Sequence, residues 1–127
     1  MQKQKIPESL DTALEIDGAL GIALGDWKSG MCLGFKGTDT PAFREANLEI
    51  AVATTTEVIR AKMRVLEAVG VKEDIEEILI VLKTQYHLVR LVKSVRGLFF
   101  YLAIDRDKGN LALARMKLDQ VAEQLAI

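Results

Sequence analysis

The sequence has very few of the residues that mark several common protein classes. Only one cysteine, Cys32, and two prolines occur among its 127 residues, and aromatic residues make up 6%. One cysteine cannot form an internal disulfide, which excludes the disulfide framework of a small secreted domain. With 50% hydrophobic and 28% charged residues, the remaining composition is typical of a folded globular domain rather than a disordered chain.

An excess of charge of one sign is also missing. Lys and Arg total 17 against 18 Asp and Glu, which gives a net charge of −1. No global positive field is therefore present to hold a polyphosphate backbone, and we predict no nucleic-acid partner. No apolar run approaches the roughly 20 residues of a membrane span, and no signal-peptide pattern precedes the domain. These absences predict a cytoplasmic protein without direct membrane insertion.

Motifs for common chemistry are missing too. No Gly-Lys-Ser/Thr phosphate loop and no dinucleotide fingerprint occur, so the chain cannot itself be a P-loop GTPase. His87 has no nucleophile or carboxylate beside it in sequence, and Cys32 lies in an apolar strand. The acidic segment 105–110 is similar to a calcium loop, but Met116 stands at the twelfth position, where a bidentate Glu is required. We therefore predict no catalytic residue, no metal site and no cofactor.

Hydrophobic periodicity predicts the element order α-β-β-α-β-β-β-α. After a flexible tail at residues 1–7, one domain is expected over residues 8–127. Its predicted elements are a helix at 8–17 ended by Gly18, strands at 19–24 and 31–35, a long helix from Thr40-Pro41 to Gly70, strands at 76–83, 87–93 and 98–104, and a helix capped by Asn110. The last three strands are separated by short connections, which predicts an antiparallel meander.

Two strands carry further expectations about their faces. In the first strand, Gly21, Ala23 and Gly25 share one face, opposite Leu20, Ile22 and Leu24, and leave room for a helix to lie close to the sheet. The strand at 76–83 is apolar on both faces, so we expect it to be covered on both sides.

The long helix carries two separate apolar stripes. Between its predicted ends lie about 29 residues, or about 43 Å of helix, longer than a five-stranded sheet is wide. The bulkier stripe is expected to face the sheet and comprises Leu48, Val52, Ile59, Met63 and Leu66. A bare second stripe would expose a large apolar patch, so we predict a homodimer. The helix residues assigned to its interface are Ala46, Ile50, Ala53, Thr54, Glu57, Ala61 and Val65.

Candidate partner or ligand contacts lie in the hairpin turn and the middle strands. Trp27 is unusual at a hairpin tip, where it packs over either a neighbour or a partner. Lys83, Arg90, Lys93 and Arg96 form either an anion patch or a solvated strand edge. Trp27, Arg90 and Lys93 are the candidates for partner or ligand binding.

The element order, the hairpin sequence GALGIAL at 18–24 with its acidic turn, and the segment IDRDKGNLALAR at 104–115 resemble the roadblock family, named for dynein-associated light chains. The resemblance covers about residues 8–125. It implies an α+β, profilin-like or longin-like sandwich: a five-stranded antiparallel sheet with the long helix on one face and the terminal helices on the other. It also implies dimers joined through the long helix and the strand that follows, which adds Ile78, Ile80 and Leu82 to the predicted interface.

Members of this family are adaptors and regulators of Ras-like small GTPases; some bacterial members are GTPase-activating partners, and others belong to motor or membrane-scaffold assemblies. The family has no catalytic motif to transfer. The resemblance therefore implies a non-catalytic homodimeric adaptor or regulator whose partners are itself and a small GTPase or a larger regulatory complex. The alternative is a small-ligand-binding sensor, or an uncharacterised enzyme, that uses a pocket between sheet and helix near Trp27 and the basic strand residues.

Overall fold

The computed structural model describes residues 3–127, and it confirms the predicted order of helices and strands. The elements are α1 (Ile6–Leu14), β1 (Ala19–Asp26), β2 (Cys32–Gly37), α2 (Asn47–Ala68), β3 (Glu77–Val81), β4 (Gln85–Leu91), β5 (Leu98–Asp105) and α3 (Leu111–Gln124). None of these helices combines the length and the apolar character that a membrane span requires.

The five strands form one antiparallel sheet in the order β2-β1-β5-β4-β3. The β1–β2 hairpin and the β3-β4-β5 meander join where β5 pairs with β1. Because it lies in the middle and is covered on both faces, β5 is a nearly continuous apolar run. The α+β sandwich with a five-stranded antiparallel sheet is confirmed.

Two hydrophobic cores lie on opposite faces of the sheet. One packs α1 and α3 against the sheet around Leu10, Phe100 and Leu118. The other packs α2 against the opposite face, where Val52 meets Phe99. The long helix and the terminal helices thus lie on opposite sides of the sheet, as the resemblance implies.

The small residues of β1 face α2, as predicted. A methyl group added at Gly25 would lie 2.6 Å from side-chain atoms of both Phe99 and Val52, so the close approach of α2 requires glycine there. Leu20 departs from the predicted alternation, because it packs on the α2 side instead of joining Ile22. A register shift between Ala19 and Gly21 explains the difference.

The first helix begins at Ile6, two residues before the predicted start. Pro7 lies in its first turn, where a missing N–H costs no helical hydrogen bond. Gln4, which the sequence placed in a flexible tail, donates from its N–H to the carbonyl of Gln124 at 2.7 Å and accepts from the N–H of Ala126 at 2.7 Å. Met1 and Gln2 lie outside the described residues.

The predicted start of the long helix at Thr40-Pro41 is wrong. Thr40 and Phe43 exchange two backbone hydrogen bonds of 2.8 and 3.0 Å, which close a turn. The Glu45 carboxylate accepts from the Gly37 N–H, and the Asp39 carboxylate accepts from the Glu45 N–H. The Asp39 side chain thus takes the Glu45 N–H, which would donate to a carbonyl within a helix that began at Pro41. Consequently α2 has 22 residues, about 33 Å of helix.

Two other predicted helix boundaries are confirmed. Gly70 adopts φ +75° after the end of α2, and the N–H of Val71 donates to the carbonyl of Leu66 at 2.9 Å. This is the hydrogen bond of a Schellman motif. At the start of α3, the Asn110 side chain accepts from the N–H of Leu113 at 2.9 Å.

Candidate functional site

The two apolar stripes of α2 have different surroundings. The stripe predicted to face the sheet does so, because Leu48, Val52 and Ile59 are buried. The stripe predicted for the dimer faces outward in the single chain, where Ile50 is 64% exposed. All the predicted interface residues of this helix region are exposed, namely Ala46, Ile50, Ala53, Thr54, Glu57, Ala61 and Val65.

The β3 strand lies at an edge of the sheet, with β4 as its neighbour. The expectation that both its faces are covered is wrong for the single chain: Ile80 is 41% exposed on one face and Val81 is 55% exposed on the other. The physical reason is the position of α2, which packs mainly against β1 and β2. Ile78 alone is half-buried against the α2-side core.

The outer face of α2 and the edge strand each present exposed apolar side chains. By register, Ile78 pairs with Val89 and Ile80 with His87, which places Ile78 and Ile80 on the α2 side. Leu82 follows directly after the strand and is also exposed. We use the name open apolar surface for the exposed apolar residues among the predicted interface residues, namely Ala46, Ile50, Ala53, Ala61, Val65, Ile80 and Leu82. Single-chain proteins rarely expose large apolar patches, so exposed apolar side chains on two elements indicate an interaction surface.

Trp27 lies beside a cavity of about 360 Å³ at one end of the sheet. The backbone N–H of Trp27 donates to the carbonyl of Gly97 at 2.9 Å, and the backbone carbonyl of Trp27 accepts from the Arg60 side chain at 2.7 Å. The Arg96 guanidinium lies over the indole, 5.4 Å from the ring centre. Of the two open interpretations, packing over a neighbour is thus realised. The other lining residues are Met63, Glu73, Asp74, Ile75, Glu76, Leu91, Val92, Lys93 and Leu98.

The predicted trio of Trp27, Arg90 and Lys93 does not form one site. Lys93 lines the cavity with Trp27, but Arg90 bonds to the Asp119 carboxylate of α3 at 2.7 and 3.1 Å. Its side chain is only 17% exposed. Arg90 therefore ties β4 to α3 on the opposite face of the sheet.

The interpretation of the basic strand residues as an anion patch loses support for the same reason. Lys93 lies 3.6 Å from the Glu76 carboxylate, and Arg96 lies 2.6 Å from Asp74. Sequence reasoning missed Asp74 and Glu76 as cavity residues. The acidic run at 73–77 is the signal that could have suggested partners for these cations.

Most arginine side chains make hydrogen bonds within the chain. The five with a hydrogen-bond partner in the described chain are Arg60, Arg90, Arg96, Arg106 and Arg115. Arg44 and Arg64 make no side-chain hydrogen bond or ion pair with residues 3–127 and are exposed. As far as contacts within residues 3–127 go, a partner could bind Arg44 or Arg64 without breaking an internal contact.

His87 is a half-buried strand residue in a small polar cluster. Its Nε2 lies 2.8 Å from Gln85 Oε1, and its Nδ1 lies 3.0 Å from the Tyr101 hydroxyl. The amide oxygen can only accept, so Nε2 carries the proton and Nδ1 accepts from the hydroxyl. Burial lowers the pKa of His87 and raises the pKa of Tyr101 to about 12. Within residues 3–127, no serine, threonine or cysteine side chain is hydrogen-bonded to the ring.

The two other candidates for chemistry have structural surroundings. Cys32 lies 3.7 Å from the Gly34 carbonyl, and burial raises the pKa of its thiol, which keeps it protonated at neutral pH. Asp105 accepts from the Asp107 N–H at 2.9 Å and so shapes the connection to α3. Across residues 3–127, no group of three His, Cys, Asp or Glu side chains is placed to hold a metal ion.

No protein-family model and no curated protein matches the sequence. Solved structures do match the fold. The gliding protein MglB from Thermus thermophilus has a TM-score of 0.77, 18% identity, and coverage of 93% of this chain and 83% of that chain. A Roadblock/LC7 domain from Streptomyces avermitilis has a TM-score of 0.75, 11% identity, and coverage of 94% and 93%. MglC from Myxococcus xanthus has a TM-score of 0.59, 18% identity, and coverage of 91% and 92%. The chain therefore has the fold of the Roadblock/LC7 domain, as its sequence resemblance implies.

Proposed function

We propose that this protein is a non-catalytic, homodimeric adaptor or regulator of a Ras-like small GTPase. The observation that carries the proposal is the open apolar surface on α2 and the edge strand. A second copy of the chain would remove this surface from water on both copies at once, because a two-fold interface uses the same patch twice.

The side chains of α2 suit antiparallel packing against a second α2. Ala53 and Ala61 are exposed and small, so two helices could approach closely along this face, while Ile50 and Val65 supply apolar area. The edge strand offers a second contact. Its unpaired backbone groups could bond to the same strand of the partner and extend the sheet across two subunits. One matching structure is described as MglB with a tetrameric arrangement, which supports assembly as a property of this fold.

Regulation of a GTPase follows from the roadblock resemblance and would not use chemistry of this chain. The chain has no phosphate-loop lysine with which to cradle a triphosphate. We expect it to act by differential affinity for the conformations of the switch loops of its partner. A pull-down with Ras-like GTPases of the same organism, loaded with GTP or GDP, tests this part. Nucleotide-dependent retention supports it, and no retention of any of them overturns it.

Self-association is tested separately by analytical ultracentrifugation at micromolar concentration. We expect wild type to sediment as a dimer and Ala53→Arg as a 14.1 kDa monomer, because arginine would bury a charge at the helix contact. Ala112→Arg is the matched control, since Ala112 is an exposed alanine on a different helix. A wild-type protein that sediments only as monomer overturns the dimer.

A second candidate function, a small-ligand sensor, is favoured by the cavity beside Trp27. A volume of about 360 Å³ falls at the lower end of the range of ligand sites, about 300–1,000 Å³. Ligand-induced change in GTPase binding or in dimerisation would distinguish a sensor from a simple adaptor.

A further inference from the structure

The cavity beside Trp27 has an apolar interior. Met63 of α2, Leu91 of β4 and Leu98 of β5 contribute to its wall together with the indole and Ile75. These residues come from different elements that the sheet and α2 hold in place. The cavity therefore has walls that are largely formed without a ligand, and it is large enough for one small apolar group.

The rim of the cavity carries charges of both signs. Glu73, Asp74 and Glu76 come from the segment between α2 and β3, and Lys93 and Arg96 come from the connection between β4 and β5. Two ion pairs, Asp74–Arg96 and Glu76–Lys93, join these segments. Glu73 makes no ion pair within residues 3–127.

Both rim ion pairs are exchangeable. Their side chains are between 54% and 72% exposed, and exposed pairs contribute little to stability. A ligand carboxylate could take the place of Asp74 on Arg96, whose planar guanidinium binds carboxylates bidentately. A ligand ammonium could bond to Glu73 or replace Lys93 on Glu76. Either exchange leaves the displaced protein group in water, where its solvation compensates most of the free energy lost with the ion pair.

From this combination we propose that the Trp27 cavity binds a free apolar α-amino acid, with its side chain between Trp27, Met63 and Leu91. Its carboxylate bonds to Arg96 and its ammonium to the acidic segment 73–76. A ligand with a charge of one sign would satisfy only half of the rim. The proposal rests on the second candidate function, the ligand sensor. It does not rest on the open apolar surface, none of whose residues line this cavity.

The test uses the wild-type full chain and the fact that Trp27 is its single tryptophan. The one indole NH signal in a ¹H–¹⁵N spectrum reports directly on the cavity. The probes are L-phenylalanine, L-leucine and L-methionine, with 3-phenylpropanoate, which lacks the ammonium, and 2-phenylethylamine, which lacks the carboxylate. N-acetyl-L-phenylalanine and L-phenylalaninamide imitate the last and first residues of a peptide.

We expect at least one of the three amino acids to shift the indole signal saturably. For phenylalanine, removing or blocking either charged group should weaken binding about tenfold or more, which corresponds to about 1.4 kcal/mol. No saturable shift with any of the three amino acids overturns the proposal. Equal binding of L-phenylalanine and of any one of its four analogues also overturns it, because one charge would then be dispensable.

A matched pair of variants locates the site. Arg96→Gln should remove the preference for L-phenylalanine over 2-phenylethylamine. Arg106→Gln should keep it, although Arg106 also stacks over an aromatic ring, that of Tyr86 at 4.8 Å. Unchanged selectivity in Arg96→Gln contradicts the proposed carboxylate contact. Sedimentation of the same samples shows whether dimerisation, and with it the first proposed function, holds independently of ligand binding.

Discussion

Substituting Gly25 by alanine tests how closely α2 packs on the sheet. The new methyl carbon would lie 2.6 Å from Phe99 Cζ and 2.6 Å from Val52 Cγ1. Both neighbours are almost completely buried, so neither can move into solvent to make room. Overpacking of this kind costs about 1–3 kcal/mol, and the loss of glycine flexibility in the unfolded chain returns only about 0.4–1 kcal/mol.

We therefore expect Gly25→Ala to lower the free energy of unfolding by about 1–2 kcal/mol. Urea denaturation followed by circular dichroism measures this, at one fixed protein concentration because dimerisation would contribute to stability. Gly34→Ala is the matched control. Its methyl would meet the end of the Leu10 side chain at 3.0 Å and Ile6 at 3.3 Å, so the expected loss is smaller.

The double variant Gly25→Ala with Val52→Ala sharpens the test. Removing the Val52 methyl groups makes room on one side of the new carbon. The double variant should therefore lose less stability than the sum of the losses of the two single variants. A coupling free energy of about 0.5 kcal/mol or more is expected. If Gly25→Ala is as stable as Gly34→Ala, the close approach of α2 described above is refuted.

Three further predictions concern single side chains. Burial lowers the folded-state pKa of His87, so the unfolded chain binds the proton first and the free energy of unfolding should fall as pH drops below about 6.5. The fall should be smaller in His87→Gln, and equal pH profiles of the two proteins in urea titrations would contradict this. Asn110→Ala should cost about 1 kcal/mol by removing the cap of α3, measured by thermal unfolding, and no loss would show that the cap is dispensable. If a cognate GTPase is stimulated, Arg44→Ala and Arg64→Ala should each leave most of the stimulation; a loss of about 10³ at unchanged affinity would reveal a catalytic arginine.

The sequence predicted those features of the fold that depend on local signals. Gly70 ends α2 because a left-handed residue is needed there, and Asn110 begins α3 because its side chain accepts a first-turn N–H. Both requirements involve residues only a few positions apart. The pattern of buried positions in α2 was predictable for the same reason, since helical periodicity alone separates Leu48 and Val52 from Ile50.

The features that sequence reasoning missed depend on contacts between residues eight or more positions apart. Thr40-Pro41 is a good helix start locally, but the Glu45 carboxylate bonds to the N–H of Gly37 and stabilises a turn instead. The prediction of the candidate site was wrong for Arg90, because sheet register, and not its neighbours in sequence, decides on which face of the sheet Arg90 lies. Once Arg90 faces α3, Asp119 is its partner and Trp27 lies beyond its reach.

The pairing of Gln4 with Gln124 and Ala126 brings residues from the two ends of the described chain side by side. Neighbouring ends of this kind are what make circular permutation possible. A short linker could join them, and new ends could open at the exposed turn of residues 28–30 with all five strands kept whole. A reporter fused to the new ends of such a permuted chain would lie beside Trp27, next to the cavity.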